Sequence, residues 1–236
     1  MNPDTSIEAD VEAVLKGIAL KSEDEIERAR AEDAAARIRS LRRMAAFPHR
    51  AYAFAAEAEK RGGAEWWRNG TPWGLCCLRI LEAMEAGATV ALLGPQGRGK
   101  TTMAVAVGRA MTAREKGVRW GDVVGFVMSL QDAKAAGNQT REFREWESPA
   151  VLMLDQADKM PDAEWESRLL FRLVDQRYNA RRATLLLCNV ASENPKEWAA
   201  DAAEKLGASI WDRIRETGGV ELANWPVLRP THGGGR

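Results

Sequence analysis

The chain has 236 residues, 45% of them hydrophobic and 29% charged, and its 34 basic and 34 acidic side chains cancel. This is the composition of a soluble globular protein, either one large domain or one domain with a small appendage. The apolar runs are too short to span a bilayer, and the N-terminus carries acids where a signal peptide needs a basic and then an apolar region, so a cytoplasmic protein with no membrane partner is expected. Zero net charge argues against strong nonspecific duplex binding but leaves room for a local basic groove that takes a single strand. Cys76, Cys77 and Cys188 lack metal-site spacing and are expected to be buried thiols.

The first elements along the chain are sparse in apolar groups. Ile7, Val11, Val14 and Ile18 are spaced four, three and four apart, which predicts one helical face. Residues 22–43 are Ala-rich and highly charged, with Ile26, Ile38 and Leu41 as the few large apolar groups. So little apolar area suits a helical hairpin or arm that is stable only against a partner; a solvated helical appendage is the alternative. Pro48 marks a boundary. Residues 1–45 are assigned to a helical partner-binding arm, 46–230 to the core domain, and 231–236, with no apolar anchor, to a flexible tail.

Trp66, Trp67 and Trp73 cluster before the first predicted strand, where they serve packing or base stacking. Within the core, strand-like and helical stretches alternate, which predicts a parallel sheet with helices on its faces. Strands are predicted at residues 89–93, 123–128, 151–154, 184–188 and 220–222.

The first strand runs into Gly94-Pro95-Gln96-Gly97-Arg98-Gly99-Lys100-Thr101, an unbroken G-x-x-x-x-G-K-T. The glycines let the loop bend around a β-phosphate with its N–H groups inward, Lys100 reaches the β/γ oxygens and Thr101 the Mg²⁺. An Ala- and Met-rich helix follows, from Thr102 to Ala113, with its positive end toward the anion. ATP and Mg²⁺ are therefore the expected ligands. Lys134, Arg141 and Arg144 follow in a polar stretch that faces either a DNA strand or solvent. The strand at 151–154 delivers Asp155, the expected second Mg²⁺ ligand. Gln156 comes next; an amide orients water but cannot take its proton, so hydrolysis is slow or another carboxylate helps, Asp158 being the nearest. Arg181 and Arg182 serve strand contact or a subunit interface. Asn189 ends the strand at 184–188, placed to meet the γ-phosphate or the attacking water. Arg213 and Arg215 fall beyond reach of the chain's own phosphate loop, where an arginine is either solvated or serves a neighbouring subunit.

A series of blocks in order resembles the DnaC/DnaI/IstB branch of AAA+ ATPases, and most closely the DnaC-type replicative helicase loaders. They are Pro48-His49-Arg50-Ala51-Tyr52; the phosphate loop; Val151 to Asp155; Val174-Asp175-Gln176-Arg177-Tyr178 leading to Cys188-Asn189; and the late stretches from Leu206 to Ile214 and from Asn224 to Arg229. The resemblance implies a three-layer α/β/α AAA+ P-loop domain with a five-stranded parallel sheet, plus the N-terminal helical arm. It implies that Lys100 and Thr101 belong to Walker A, with Thr102 after them, Asp155 to Walker B, Asn189 to sensor 1, Arg213 to the arginine finger and Arg229 to sensor 2. It further implies an ATPase that docks on a DnaB-type replicative helicase through residues 1–45, assembles in an open ring or spiral, and engages single-stranded DNA. Gln156 for the second acid, Thr102 for His and Ala208-Ser209 for Glu-Arg depart from the family pattern, and that divergence points to a phage or mobile-element member. The alternatives are an IstB-like transposition ATPase that remodels a transposase on duplex DNA, a nucleotide-sensing adaptor with little hydrolysis and, a poor third, a small-molecule kinase.

Overall fold

The computed structural model describes residues 23–63, 66–159 and 164–226. The stripe at Ile7, Val11, Val14 and Ile18, Arg229 and the tail at 231–236 lie outside the described residues. The chain divides into two compact units, Met1–Arg39 and Ser40–Arg236. Helix α1 (Glu23–Met44) carries Arg42 and Arg43 in its last turn, where cations oppose the negative end of the helix.

In the larger unit, α2 (His49–Gly62) and α3 (Pro72–Glu85) precede β1 (Thr89–Gly94) and α4 (Lys100–Ala113). There follow β2 (Val118–Asp122), α5 (Val123–Ala135), α6 (Gln139–Glu147), β3 (Val151–Asp155), a 3₁₀ turn (Ala157–Lys159), α7 (Glu164–Asn179), β4 (Ala183–Asn189), α8 (Trp198–Leu206), α9 (Ala208–Thr217) and β5 (Val220–Leu222). The sheet has five strands in the order β2-β3-β4-β1-β5, and every pairing is parallel.

Successive residues of the central strands feed opposite cores, as the period of two requires. Val90, Leu92, Met153, Leu185 and Leu187 pack with Ile80, Met84, Met103 and Met111 of α3 and α4. Ala91, Leu93, Leu152, Leu154 and Leu186 pack with Phe126, Leu170, Leu173, Trp198, Ile210 and Ile214 of α5, α7, α8 and α9. Burial on both faces is why β1, β3 and β4 read as continuous apolar runs.

One predicted strand is corrected. Residues 123–128 open α5, and the strand is the preceding Val118–Asp122. Val123, Phe126, Val127 and Leu130 are buried while Val124 and Met128 are exposed, which is helical spacing. Asp122 caps that helix, its carboxylate accepting from Gly125 N at 2.8 Å.

Arg177, fully buried on α7, staples the end of the sheet where β3 and β4 begin. Its guanidinium donates to the carbonyls of Glu147 (2.6 Å), Pro149 (2.8 Å) and Ala183 (2.6 Å) and to the Thr184 hydroxyl (3.0 Å). Behind the phosphate-loop helix, Glu59 of α2 accepts from Arg109 of α4 and from Arg42, and the Arg109 guanidinium lies 4.6 Å above the Tyr52 ring. Among the described residues no helix is long and apolar enough to cross a membrane.

Candidate nucleotide site

The carboxyl ends of β1, β3 and β4 converge because these strands are neighbours in the sheet, and each delivers one polar group. From β1 comes the phosphate loop. Gly97 and Gly99 hold φ of 88° and 77°, left-handed values that a side chain would strain, and Gly99 opens α4. A side chain at Gly94 would stand 2.7 Å from the Ala223 methyl, so that position needs a glycine for close approach. Pro95 contributes its carbonyl, Gln96 is exposed at the loop tip, and Thr102 is half-buried in the first turn of α4.

Lys100 is 6% exposed. Its ammonium donates to Gly94 O (2.7 Å), Pro95 O (3.0 Å) and Asn189 Oδ1 (2.9 Å). Burial pushes its pKa down to about 8, against the pull of Asp155 and Asp158. The Thr101 hydroxyl donates to Asp155 Oδ2 at 2.9 Å, and Asp155 Oδ1 accepts from Gln156 N at 2.8 Å. Burial raises the Asp155 carboxyl, with those two hydrogen bonds opposing the rise. One hydroxyl facing one carboxylate at the mouth of a phosphate loop is a pair of oxygen donors that would suit a Mg²⁺ ion. No cluster of three or more His, Cys, Asp or Glu suited to a metal occurs among the described residues.

Gln156 adopts a left-handed φ of 54° and turns the chain from β3 into the 3₁₀ turn. That turn brings Asp158 to Asn189, where Asp158 Oδ1 accepts from the Asn189 backbone N (2.7 Å) and Nδ2 (3.2 Å). The predicted Lys100, Thr101, Asp155, Gln156 and Asn189 therefore share one site.

Arg213 lies elsewhere. On α9 its guanidinium donates to Asp175 Oδ1 (3.1 Å), stands 3.6 Å from the Glu216 carboxylate and covers the Tyr178 ring at 4.6 Å. One turn on, Thr217 Oγ1 accepts from Thr89 N (3.0 Å) at the start of β1, the end of that strand remote from the loop. The sequence reading missed the tie between Arg98 and Trp225. The Arg98 guanidinium donates to Trp225 O, and Trp225 Nε1 donates to Arg98 O at 2.7 Å, joining the loop to the segment after β5. The only sequence signal for it is the Asn-Trp-Pro run itself.

A five-stranded parallel sheet in this order, with a phosphate loop after β1, an Asp at the end of β3 and an Asn at the end of β4, defines an AAA+ P-loop nucleotide-binding domain. A family profile described as "IstB-like ATP binding protein" matches residues 17–220. The chain belongs to that family. It is 27% identical over 184 residues to an ATP-binding protein of insertion sequence IS232 from Bacillus thuringiensis subsp. berliner, covering 75% of this chain and 67% of the relative. An insertion-sequence ATP-binding protein from Mycobacterium tuberculosis is 29% identical, covering 67% of this chain and 62% of the relative. An IS21 counterpart from Pseudomonas aeruginosa is also 29% identical, covering 57% and 49%. The chain thus spans about half to two thirds of these relatives' lengths.

Among solved structures, the DnaC helicase loader gives a TM-score of 0.56 at 22% identity, covering 63% of this chain and 86% of the loader. AMPPCP-bound DnaA from Aquifex aeolicus gives 0.53 at 17% identity, covering 62% of this chain and 44% of DnaA. At these identities the likeness is one of fold.

Proposed function

We propose that the chain is a cytoplasmic Mg²⁺-dependent ATPase of DNA transposition, which assembles on duplex DNA in its ATP form and acts there on a transposase. The observation that carries the nucleotide chemistry is the Lys100 ammonium, buried against two loop carbonyls and Asn189 beside Asp155 and Asp158. Phosphate oxygens exchange readily for such partners. Thr101 and Asp155 would hold Mg²⁺, which would supply charge neutralisation to the bound phosphates. The Gln156 amide orients water without accepting its proton, so turnover is slow and ATP serves mainly as a switch between assembly and release. Arg213, remote from its own loop, is the group a neighbouring copy would receive in an open ring or spiral, and Arg229 is a further phosphate contact.

Transposition is favoured over helicase loading because the family match and three insertion-sequence relatives support it. The loader reading, in which residues 1–45 dock on a DnaB-type helicase and the chain engages single-stranded DNA in phage replication, rests on the sequence blocks and on the loader fold. Both are tested by light scattering of the purified chain with ATP, ADP or neither, mixed with duplex DNA, single-stranded DNA or the host's replicative helicase. Large assemblies on duplex with ATP, lost in Arg213→Ala while that variant still binds nucleotide as a monomer, are expected. A stable helicase complex without duplex assembly would replace this reading with the loader.

A further inference from the structure

Gln156 cannot act as an acid or base at neutral pH, yet a second carboxylate, Asp158, stands in the site two residues on. We propose that Asp158 is a positioning residue for ATP hydrolysis: through Asn189 it presents an acceptor, Asn189 Oδ1, to the attacking water. The inference rests on ATP turnover at the Lys100 site.

The chemistry of the groups dictates the geometry. An ionised carboxylate only accepts and an ammonium only donates. Asn189 lies between the two, so its Nδ2 must face Asp158 (3.2 Å) and its Oδ1 must face Lys100 (2.9 Å). The second bond to Asp158, from the Asn189 backbone N at 2.7 Å, pins the end of β4 to the 3₁₀ turn. Two bonds to one carboxylate oxygen fix both the main chain and the amide of Asn189, 31 positions away in sequence. Asp158 itself is delivered by the left-handed turn at Gln156, so the residue that lacks the acid shapes the backbone that supplies one.

When Lys100 turns to phosphate oxygens, Asn189 Oδ1 loses its donor while Nδ2 stays held. A carbonyl-type oxygen repels phosphate and accepts from the O–H of water. Asn189 thereby orients the nucleophile and makes no bond to the γ-phosphate, and its contribution belongs to turnover rather than to ATP affinity.

The test compares Asp158→Ala, Asp158→Asn, Asn189→Ala and the Asp158→Ala/Asn189→Ala double variant in single-turnover hydrolysis, with fluorescent ATP binding in parallel. Asp158→Ala should lower the hydrolysis rate roughly tenfold or more with ATP affinity nearly unchanged. Asn189→Ala should do the same, and the double variant no worse than either, because both act through one amide. Asp158→Asn retains an acceptor and should restore much of the rate, which a purely structural loss would not allow. Full-rate turnover in Asp158→Ala, or additive losses in the double variant, overturns the assignment while leaving the ATPase reading intact. A parent chain without Lys100-dependent turnover overturns both.

Discussion

Two buried cations sit at opposite ends of the same sheet and are held differently. At the end where β3 and β4 begin, Arg177 gives its donors to four backbone carbonyls and a threonine hydroxyl fixed by neighbouring elements. At the other end, Lys100 gives its donors to two carbonyls of a glycine-rich loop and one side-chain amide. Burial depresses both, Arg177 to about 9 and Lys100 to about 8. A buried charge whose partners are locked by the fold is a staple, whereas one whose partners are a loop and an amide can be handed to a ligand. Desolvation alone does not separate the two cases; the replaceability of the partners does.

Replacing each cation by methionine tests this contrast most directly. Arg177→Met strands the backbone carbonyls and the hydroxyl it holds and should cost about 3 to 5 kcal/mol, lowering Tm by roughly 10 °C in a calorimetric scan. Lys100→Met removes a desolvated charge from partners that can turn to water, so its Tm should stay close to the parent's or rise. Its ATP affinity should instead drop more than about a hundredfold, since at least two charge-assisted contacts of about 1.5 to 3 kcal/mol are lost. A Tm loss in Lys100→Met as large as in Arg177→Met would erase the distinction.

The pH dependence sharpens the comparison further. In the unliganded fold Lys100 gives up its proton near pH 8, and a neutral amine does not attract phosphate. ATP affinity should therefore hold below pH 8 and weaken about tenfold per unit above it, as read by fluorescent nucleotide titration. Stability should move the other way. The native state releases the Lys100 proton at lower pH than the unfolded chain does, so the burial penalty is fully present below pH 8 and relieved as pH rises toward the ordinary lysine value. Lys100→Met should show neither trend.

Much of the site was legible because it is written locally. The phosphate loop is contiguous, and Asp155 and Asn189 end strands whose two-sided burial makes them unbroken apolar runs. The strand Val118–Asp122 was not legible, because it lies at the sheet edge and only Val118 is buried, so Arg119, Trp120 and Gly121 mask the pattern. The neighbouring run of apolar residues drew the strand assignment instead, although Asp122 and the spacing of Val123, Phe126, Val127 and Leu130 carry the helix signal.

The sequence by itself determined that a phosphate loop follows a buried strand, and that an Asp and an Asn end two later strands, since chain-local chemistry and the alternation of burial dictate these features. Only the tertiary structure decided which acid meets Asn189, which arginine of many becomes the buried staple, and that Trp225 grips a loop residue 127 positions away. These pairings depend on strand order, which sets β3 beside β4 and β4 beside β1 and brings distant side chains within hydrogen-bonding distance. No spacing along the chain encodes that proximity.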